Sequence, residues 1–151
     1  MIVYRITLAI HSMKLLASGY PARWNSKDVK MIYTAQSRAL ACLENVVHRN
    51  SKGLQNNFRV MQIFVPDDMV LMEIKETDLL KGWKKFDKFP YTQSLGDQWI
   101  HEAKSGILKI PSAIVSGDSN YLINPEHKDF KKVKLLKTEP FEFDGRIKEN
   151  L

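Results

Sequence analysis

Short segments with period-two alternation recur from one end of this chain to the other, and they constrain its fold more than any other feature. Successive side chains of a strand point to opposite faces, so alternation marks a backbone lying between two different environments. Residues 58–65 are the clearest case, with Val60, Gln62 and Phe64 set against Met61, Ile63 and Val65 before Pro66-Asp67-Asp68 ends the run. Residues 2–9 read the same way and carry Tyr4 and Arg5. Further strands are expected over 30–34, 69–74, 106–110, 120–123 and 133–143, the last bending at Pro140. The 69–74 segment is expected to form a hairpin with 58–65, and 112–115 to continue extended after Pro111. Two stretches follow the helical period instead, 35–49 and 95–103, with one helical turn over 126–130. Gly82-Trp83 and Phe89-Pro90 mark aromatic-lined irregular structure. No repeat, linker or low-complexity segment interrupts the 151 residues, which predicts one α+β domain over 1–151. Its sheet is expected to be mixed and mostly antiparallel, with two main helices.

Composition narrows the class. With 44% hydrophobic and 26% charged residues the chain has a globular balance, and its apolar runs are too short to span a bilayer. The opening MIVYRITLAI lacks the apolar core and cleavage site of a signal peptide, so a cytoplasmic location is expected. The single cysteine, Cys42, permits neither an internal disulfide nor a cysteine-based metal site. His11, His48, His101 and His127 have no ligand spacing, so no metal is expected. No Walker loop and no GxGxxG occurs, and any dinucleotide would bind without a Rossmann turn. The net charge of +6 favours an anionic partner. The lysines are scattered, apart from Lys81/Lys84/Lys85/Lys88 and Lys128/Lys131/Lys132/Lys134, and a solvated surface accounts for them equally well.

The stretch 22–48 concentrates the chemistry. At about 100° per residue, a helix over 35–49 aligns Leu40, Leu43 and Val47, widened by Val46 and Ala39, while Cys42, Asn45 and Arg38 point away. Glu44 then projects from the flank of the apolar stripe. A carboxylate beside a core is costly unless it is paired or borders a polar cavity, so Glu44 is either half of a rim salt bridge or part of a ligand cleft. Arg23, followed by Trp24 and Asn25, suits bidentate capture of a phosphate or carboxylate, or a structural cation–π pair. Tyr33 can stack on a ring or sit at the core edge with a wet hydroxyl. Ser112, set by Pro111, can donate to a phosphate or ribose or bond its own turn, and no nucleophile elbow surrounds it. The stretch 120–127 is polar at both ends, and His127 reads as structural.

Together these residues resemble the successive motifs of RES-domain proteins, a family named for an arginine, a glutamate and a serine. The resemblance is carried by Tyr4-Arg5-Ile6, Ser18-Gly19, Arg23-Trp24-Asn25, Tyr33-Thr34-Ala35 and Ala39-Leu40-Ala41 with Glu44. It continues through Gly96-Asp97-Gln98-Trp99, Ile110-Pro111-Ser112-Ala113, residues 120–125 and Phe143-Asp144-Gly145-Arg146. It implies a split-sheet fold similar to the ADP-ribosyltransferase or diphtheria-toxin type. It also implies the toxin of a type II toxin–antitoxin pair that degrades NAD⁺ at the nicotinamide–ribose bond by hydrolysis or phosphorolysis, or transfers ADP-ribose to a protein. By the same resemblance, Glu44 stabilises the ribose cation, kept ionised by a nearby arginine. Arg5 and Arg23 clamp the pyrophosphate, Tyr33 stacks on the nicotinamide, and Ser112 and Asn120 bind the dinucleotide. The implied partner is an Xre-type helix-turn-helix antitoxin covering the cleft, with nucleic acid contacted only through it. One departure concerns Pro21-Ala22, where many members carry two glycines, and it bears on the shape of the Arg23 loop. A different class, a non-enzymatic basic nucleic-acid-binding domain, rests on charge and scattered aromatics and predicts affinity that falls with salt.

Overall fold

The computed structural model of the protein describes residues 1–149. Seven strands form one mixed sheet: β1 (Ile2–Leu8), β2 (Ile32–Ala35), β3 (Phe58–Phe64), β4 (Leu71–Glu73), β5 (Ile107–Pro111), β6 (Ser119–Ile123) and β7 (Lys134–Phe141). Their spatial order is β4-β5-β6-β2-β1-β3-β7, antiparallel throughout except for β4 beside β5. Helices α1 (Arg38–His48) and α2 (Phe89–Glu102) complete the α+β architecture. No helix among the described residues is long and apolar enough to cross a membrane.

Alternation along the strands sorts the core into two sides. Tyr33 and Ala35 share a face with Leu122 and Asn120 across β2 and β6, and with Tyr4 across β1. On that face Leu108, Ile110 and Leu122 meet Trp99 and Ile100 of α2, while Ile6, Phe58 and Val60 meet Leu40 and Ala41 of α1. Val3, Ile32, Met61, Ile63, Ile107 and Ile123 fill the opposite side. Both helices therefore cover one face.

The sheet is not continuous in its middle. The register of β1 against β2 consists of Tyr4 opposite Ala35 alone, whereas β1 pairs with β3 over its full length. Past that point the two strands part, and the gap between Arg5–Thr7 on one side and Tyr33–Thr34 on the other is where the cleft opens. This is the split that the resemblance implied.

Several expectations are corrected. Residues 71–73 pair in parallel with β5 rather than as a hairpin with β3, whose neighbours are β1 and β7. Helix α2 starts at Phe89, not 95, because Pro90 in the first turn is compatible with helix initiation, where its missing N–H has no partner to lose. Residues 112–115 turn instead of extending, and the single turn expected over 126–130 is a 3₁₀ turn at Phe130–Lys132. Helix α1 is rotated relative to the expected stripe. Leu40 and Ala41 are buried, but Leu43 and Val47 are 39% and 51% exposed, and Asn45 faces the sheet. Small Ala41 brings the helix close enough for the Asn45 amide to donate to the Ile6 carbonyl at 3.0 Å, where β1 has no β2 residue opposite.

Candidate active site

Helix α1 begins where Ser37 accepts a hydrogen bond from the Leu40 N–H at 3.1 Å, which satisfies one of the free first-turn donors. Starting there, α1 points Glu44 into a cleft of about 1000 Å³ lined by both parted strands, the Arg23 loop and the segment after β5. The Glu44 carboxyl is held above its ordinary value by burial, and Asn120 and the charge of Arg23 oppose that shift without cancelling it. Arg23 acts in the direction expected of a nearby arginine, favouring the ionised form, while burial is the larger influence. Burial dominates because the carboxylate sits in the floor of the cleft with no arginine or lysine nitrogen within 4.0 Å among the described residues.

His48, four residues on, has Nε2 3.9 Å from a Glu44 oxygen. Burial, reinforced by Arg23, Arg49 and Lys148, holds its pKa below the ordinary imidazole value. At neutral pH it is uncharged, so its contact with Glu44 is not a charge pair.

The Arg23 loop is fastened to α2. Thr92 Oγ1 donates to the Arg23 carbonyl at 2.5 Å, Gln93 Nε2 to the Ala22 carbonyl at 2.8 Å, and Asp97 accepts from the N–H and hydroxyl of Ser26 at 3.0 and 2.5 Å. Gly96 lets the two backbones touch, since a Cβ there would lie 1.8 Å from the Trp24 carbonyl oxygen. Buried Asn25 donates to the carbonyls of Tyr20 and Val29, at 2.8 and 3.0 Å, and closes the loop from within. Pro21-Ala22 fits this arrangement, with the Ala22 N–H bonded to the Asn25 carbonyl at 3.0 Å.

So held, Arg23 stacks over Phe89 and Trp83 with its guanidinium carbon 4.8 and 5.7 Å from the ring centres. One nitrogen donates to the Lys84 carbonyl at 2.9 Å. Arg5 reaches the cleft from β1 and donates to the Leu16 carbonyl at 3.0 Å. Burial pulls both guanidinium pKa values down. Arg38 and Arg146 have carboxylate partners, on Glu139 and Asp144, whereas Arg5 and Arg23 have none within 4.0 Å among the described residues. Two partly buried guanidiniums without counter-ions on one cleft make it a site for an anion.

Tyr33 lies between the strand and this loop. Its hydroxyl donates to Asn25 Oδ1 at 2.6 Å and accepts from the Trp24 N–H at 3.1 Å, and burial raises its pKa. With the hydroxyl engaged on the loop, what Tyr33 contributes to the cleft is its ring. Asn120, on β6, lines the cleft and donates to the Thr34 carbonyl at 3.1 Å.

Ser112 is placed differently from the expectation. It is buried, and its Oγ accepts from the N–H groups of Ile114 and Val115, both at 3.0 Å, while Pro111, Ala113 and Ile114 line the cleft around it. The hydroxyl shapes the turn that forms this wall, the local role that serine after proline also permits. Thus Arg5, Arg23, Tyr33, Glu44 and Asn120 converge, and Ser112 supports them from behind. Sequence reasoning missed His48, whose four-residue spacing from Glu44 was a usable signal, and Phe89, whose place under Arg23 depends on α2. No three His, Cys, Asp or Glu side chains among the described residues converge as a metal-ligand set.

Known proteins share this architecture. A family model described as RES domain matches residues 2–144. A protein named Prs ADP-ribosylating toxin, from Sphingobium sp. (strain YBL2), is 40% identical over 127 residues, covering 83% of this chain and 79% of its own. A Yersinia enterocolitica protein named Toxin Res is 33% identical over 134 residues, 87% of each chain. Among solved structures, a chain of the M. tuberculosis MbcT–MbcA toxin–antitoxin complex superposes with a TM-score of 0.75 at 19% identity, covering 93% of this chain and 84% of that one. At that identity it speaks for the fold alone, but the family match over nearly the whole length and the relatives above 30% identity agree with it: the chain belongs to the RES-domain family.

Proposed function

We propose that this protein is the toxin of a bacterial toxin–antitoxin pair and that it consumes NAD⁺ in the split between β1 and β2. The observation carrying this reading is the pairing, on one cleft, of a half-buried carboxylate with two guanidiniums that have no counter-ion. NAD⁺ matches that pattern, since its pyrophosphate is anionic and its nicotinamide ribose becomes cationic during cleavage. Arg5 and Arg23 hold the pyrophosphate, the Tyr33 ring packs against nicotinamide, and Glu44 faces the ribose. The C1′–N bond breaks with its electron pair leaving on nicotinamide. The carboxylate stabilises the oxocarbenium ion, and water or phosphate bonds to C1′ and releases a proton. The toxin assignment draws on relatives named as toxins, and the solved complex supports an antitoxin partner, proposed here as an Xre-type protein closing the cleft. The site of action is the cytoplasm, where NAD⁺ is available. A second reading, transfer of ADP-ribose to a protein, is favoured by the name of the 40% identical relative. Purified protein incubated with NAD⁺ should release nicotinamide, and adenine-labelled NAD⁺ followed to protein or to solution separates the two readings.

Two further results are expected. Because Glu44 acts as a carboxylate and its pKa is raised, nicotinamide release should fall on the acid side with a kcat/KM midpoint above the ordinary glutamate value of 4.5. Bound NAD⁺ brings a positive charge near Glu44, so the kcat midpoint should lie lower than the kcat/KM midpoint. A pH–rate profile with both midpoints at or below the ordinary value would remove burial as the controlling factor. Tyr33→Phe should lower stability by about 1–3 kcal/mol in urea melts by stranding Asn25 Oδ1 and the Trp24 N–H. It should keep nicotinamide release within about tenfold of wild type, whereas loss of a general acid would cost about 10²–10⁴-fold.

A further inference from the structure

Beyond Arg23 the cleft is lined by Lys84 and Phe86, and the segment 81–88 that carries them presents an outer surface that NAD⁺ binding does not explain. Phe86 is 83% exposed, the largest exposure among the large hydrophobic side chains of the described residues, and Leu80 nearby in sequence is 55% exposed. The Phe86 ring rests 5.0 Å from that of Phe89, whose face in turn carries the Arg23 guanidinium at 4.8 Å. Three side chains in a row thus connect open surface to the proposed pyrophosphate clamp. Flanking Phe86 in the chain are Lys81, Lys84, Lys85 and Lys88, against one acidic residue, Asp87, and Lys81 and Lys85 are exposed as Phe86 is. Lys84 pairs with Glu76 at 3.5 Å, and the other three have no carboxylate within 4.0 Å among the described residues.

An exposed aromatic anchor set in unpaired like charge has the anatomy of a protein-binding hot spot with a charged rim. It also borders the cleft itself, which Lys84 and Phe86 help to line. We propose that the Phe86–lysine surface docks an acidic protein acceptor and presents its nucleophile to the cleft. This deepens the transfer reading above and rests on it. The nucleophilic heteroatom of the acceptor bonds to C1′ as the C1′–N bond breaks, nicotinamide leaves with the electron pair, and the acceptor's proton passes to solvent. Charge complementarity selects the partner: three unpaired lysines suit a surface rich in aspartate and glutamate. Asp87 beside the anchor and the Glu76 partner of Lys84 disfavour a continuous phosphate backbone.

The test uses the double variant Lys81→Glu/Lys85→Glu, since both lysines are exposed and neither lines the cleft. The probe is adenine-labelled NAD⁺ with a soluble bacterial protein extract, read both as nicotinamide released in acceptor-free buffer and as label on protein. The variant should release nicotinamide as wild type does, melt at the wild-type temperature, and lose about tenfold or more of its protein labelling. Wild-type labelling should itself fall as salt rises to about 0.3 M. Labelling by the variant at the wild-type level overturns the proposal. So does label that is removed by nuclease, or a variant that labels normally but escapes antitoxin inhibition, which would assign the surface to nucleic acid or to the antitoxin. Nicotinamide release with no protein labelled by wild type also overturns it and leaves NAD⁺ cleavage standing. Absence of nicotinamide release from wild type refutes the underlying reading instead.

Discussion

Glu44→Gln is expected to cut nicotinamide release from NAD⁺ by at least about 10²–10³-fold, the scale of losing one preorganised electrostatic group at a developing charge. The same change should raise the melting temperature. Glutamine keeps the shape of the side chain and an oxygen that can accept from Asn120, but it cannot carry the negative charge opposite the ribose. The stability effect follows from linkage. The folded-state pKa of Glu44 is raised by burial, so its contribution to stability is fully present below the unfolded value and is lost as pH rises through the folded one. At neutral pH the ionised carboxylate therefore destabilises the folded chain, and a neutral isostere removes that cost. Thermal melts at pH 5 and pH 8 check the sign, since the gap between variant and wild type should widen at the higher pH. Release within about tenfold of wild type would end the assignment of Glu44 as the ribose carboxylate. Glu44→Ala should lose activity equally.

The second large effect is structural in origin. Gly96→Ala should destabilise the protein by about 3 kcal/mol, the upper range for an overpacked site. For a chain of this size that lowers Tm by about 6–12 °C. The added Cβ would stand 1.8 Å from the Trp24 carbonyl oxygen, and the obstacle is backbone, which has no rotamer to escape into. Either α2 or the loop must retreat. Retreat of the loop breaks the bonds from Thr92 and Gln93 that fix Arg23, so turnover should fall together with stability. Gly145→Ala is the control, because nothing lies within 4 Å of a Cβ there and its Tm should stay within about 2 °C of wild type. Equal melting of the two variants would show that α2 and the Arg23 loop are not in contact.

Gly96 also shows where reading the sequence stopped. Gly96-Asp97-Gln98-Trp99 was visible as part of the resemblance, but its purpose depends on a loop about seventy residues earlier whose carbonyl takes up the space of the missing side chain. Phe89-Pro90 suggested irregular structure because a proline read locally is as compatible with a chain break as with a helix's first turn, and only the packing of α2 reveals a first-turn proline. The parallel pairing of β4 with β5 was beyond local reasoning, since neighbours in sequence favour hairpins and nothing in residues 69–74 names a distant partner. Ser112 was legible as a serine placed by proline, while the direction of its hydroxyl, toward its own turn, was not.

By itself, the sequence determined the strands, the two helices, the α+β class, and the residue types that meet at the cleft. The elements follow from side-chain period and from backbone-breaking residues, both of which act over a few positions, whereas the set of cleft residues was legible only through the family resemblance. Tertiary structure decided the rest. The rotation of α1 is the clearest instance: the Leu40–Leu43–Val47 stripe was real as a pattern, yet the helix packs through Leu40 and Ala41 and leaves Leu43 and Val47 in part to solvent. It does so because β1 and β2 part after Tyr4 and Ala35, and Asn45 then occupies the Ile6 carbonyl beside the gap. A helical wheel assigns faces only relative to each other. Which face meets the protein is settled by long-range strand pairing, and here that pairing turned Glu44 from the flank of an apolar stripe into the floor of a cleft.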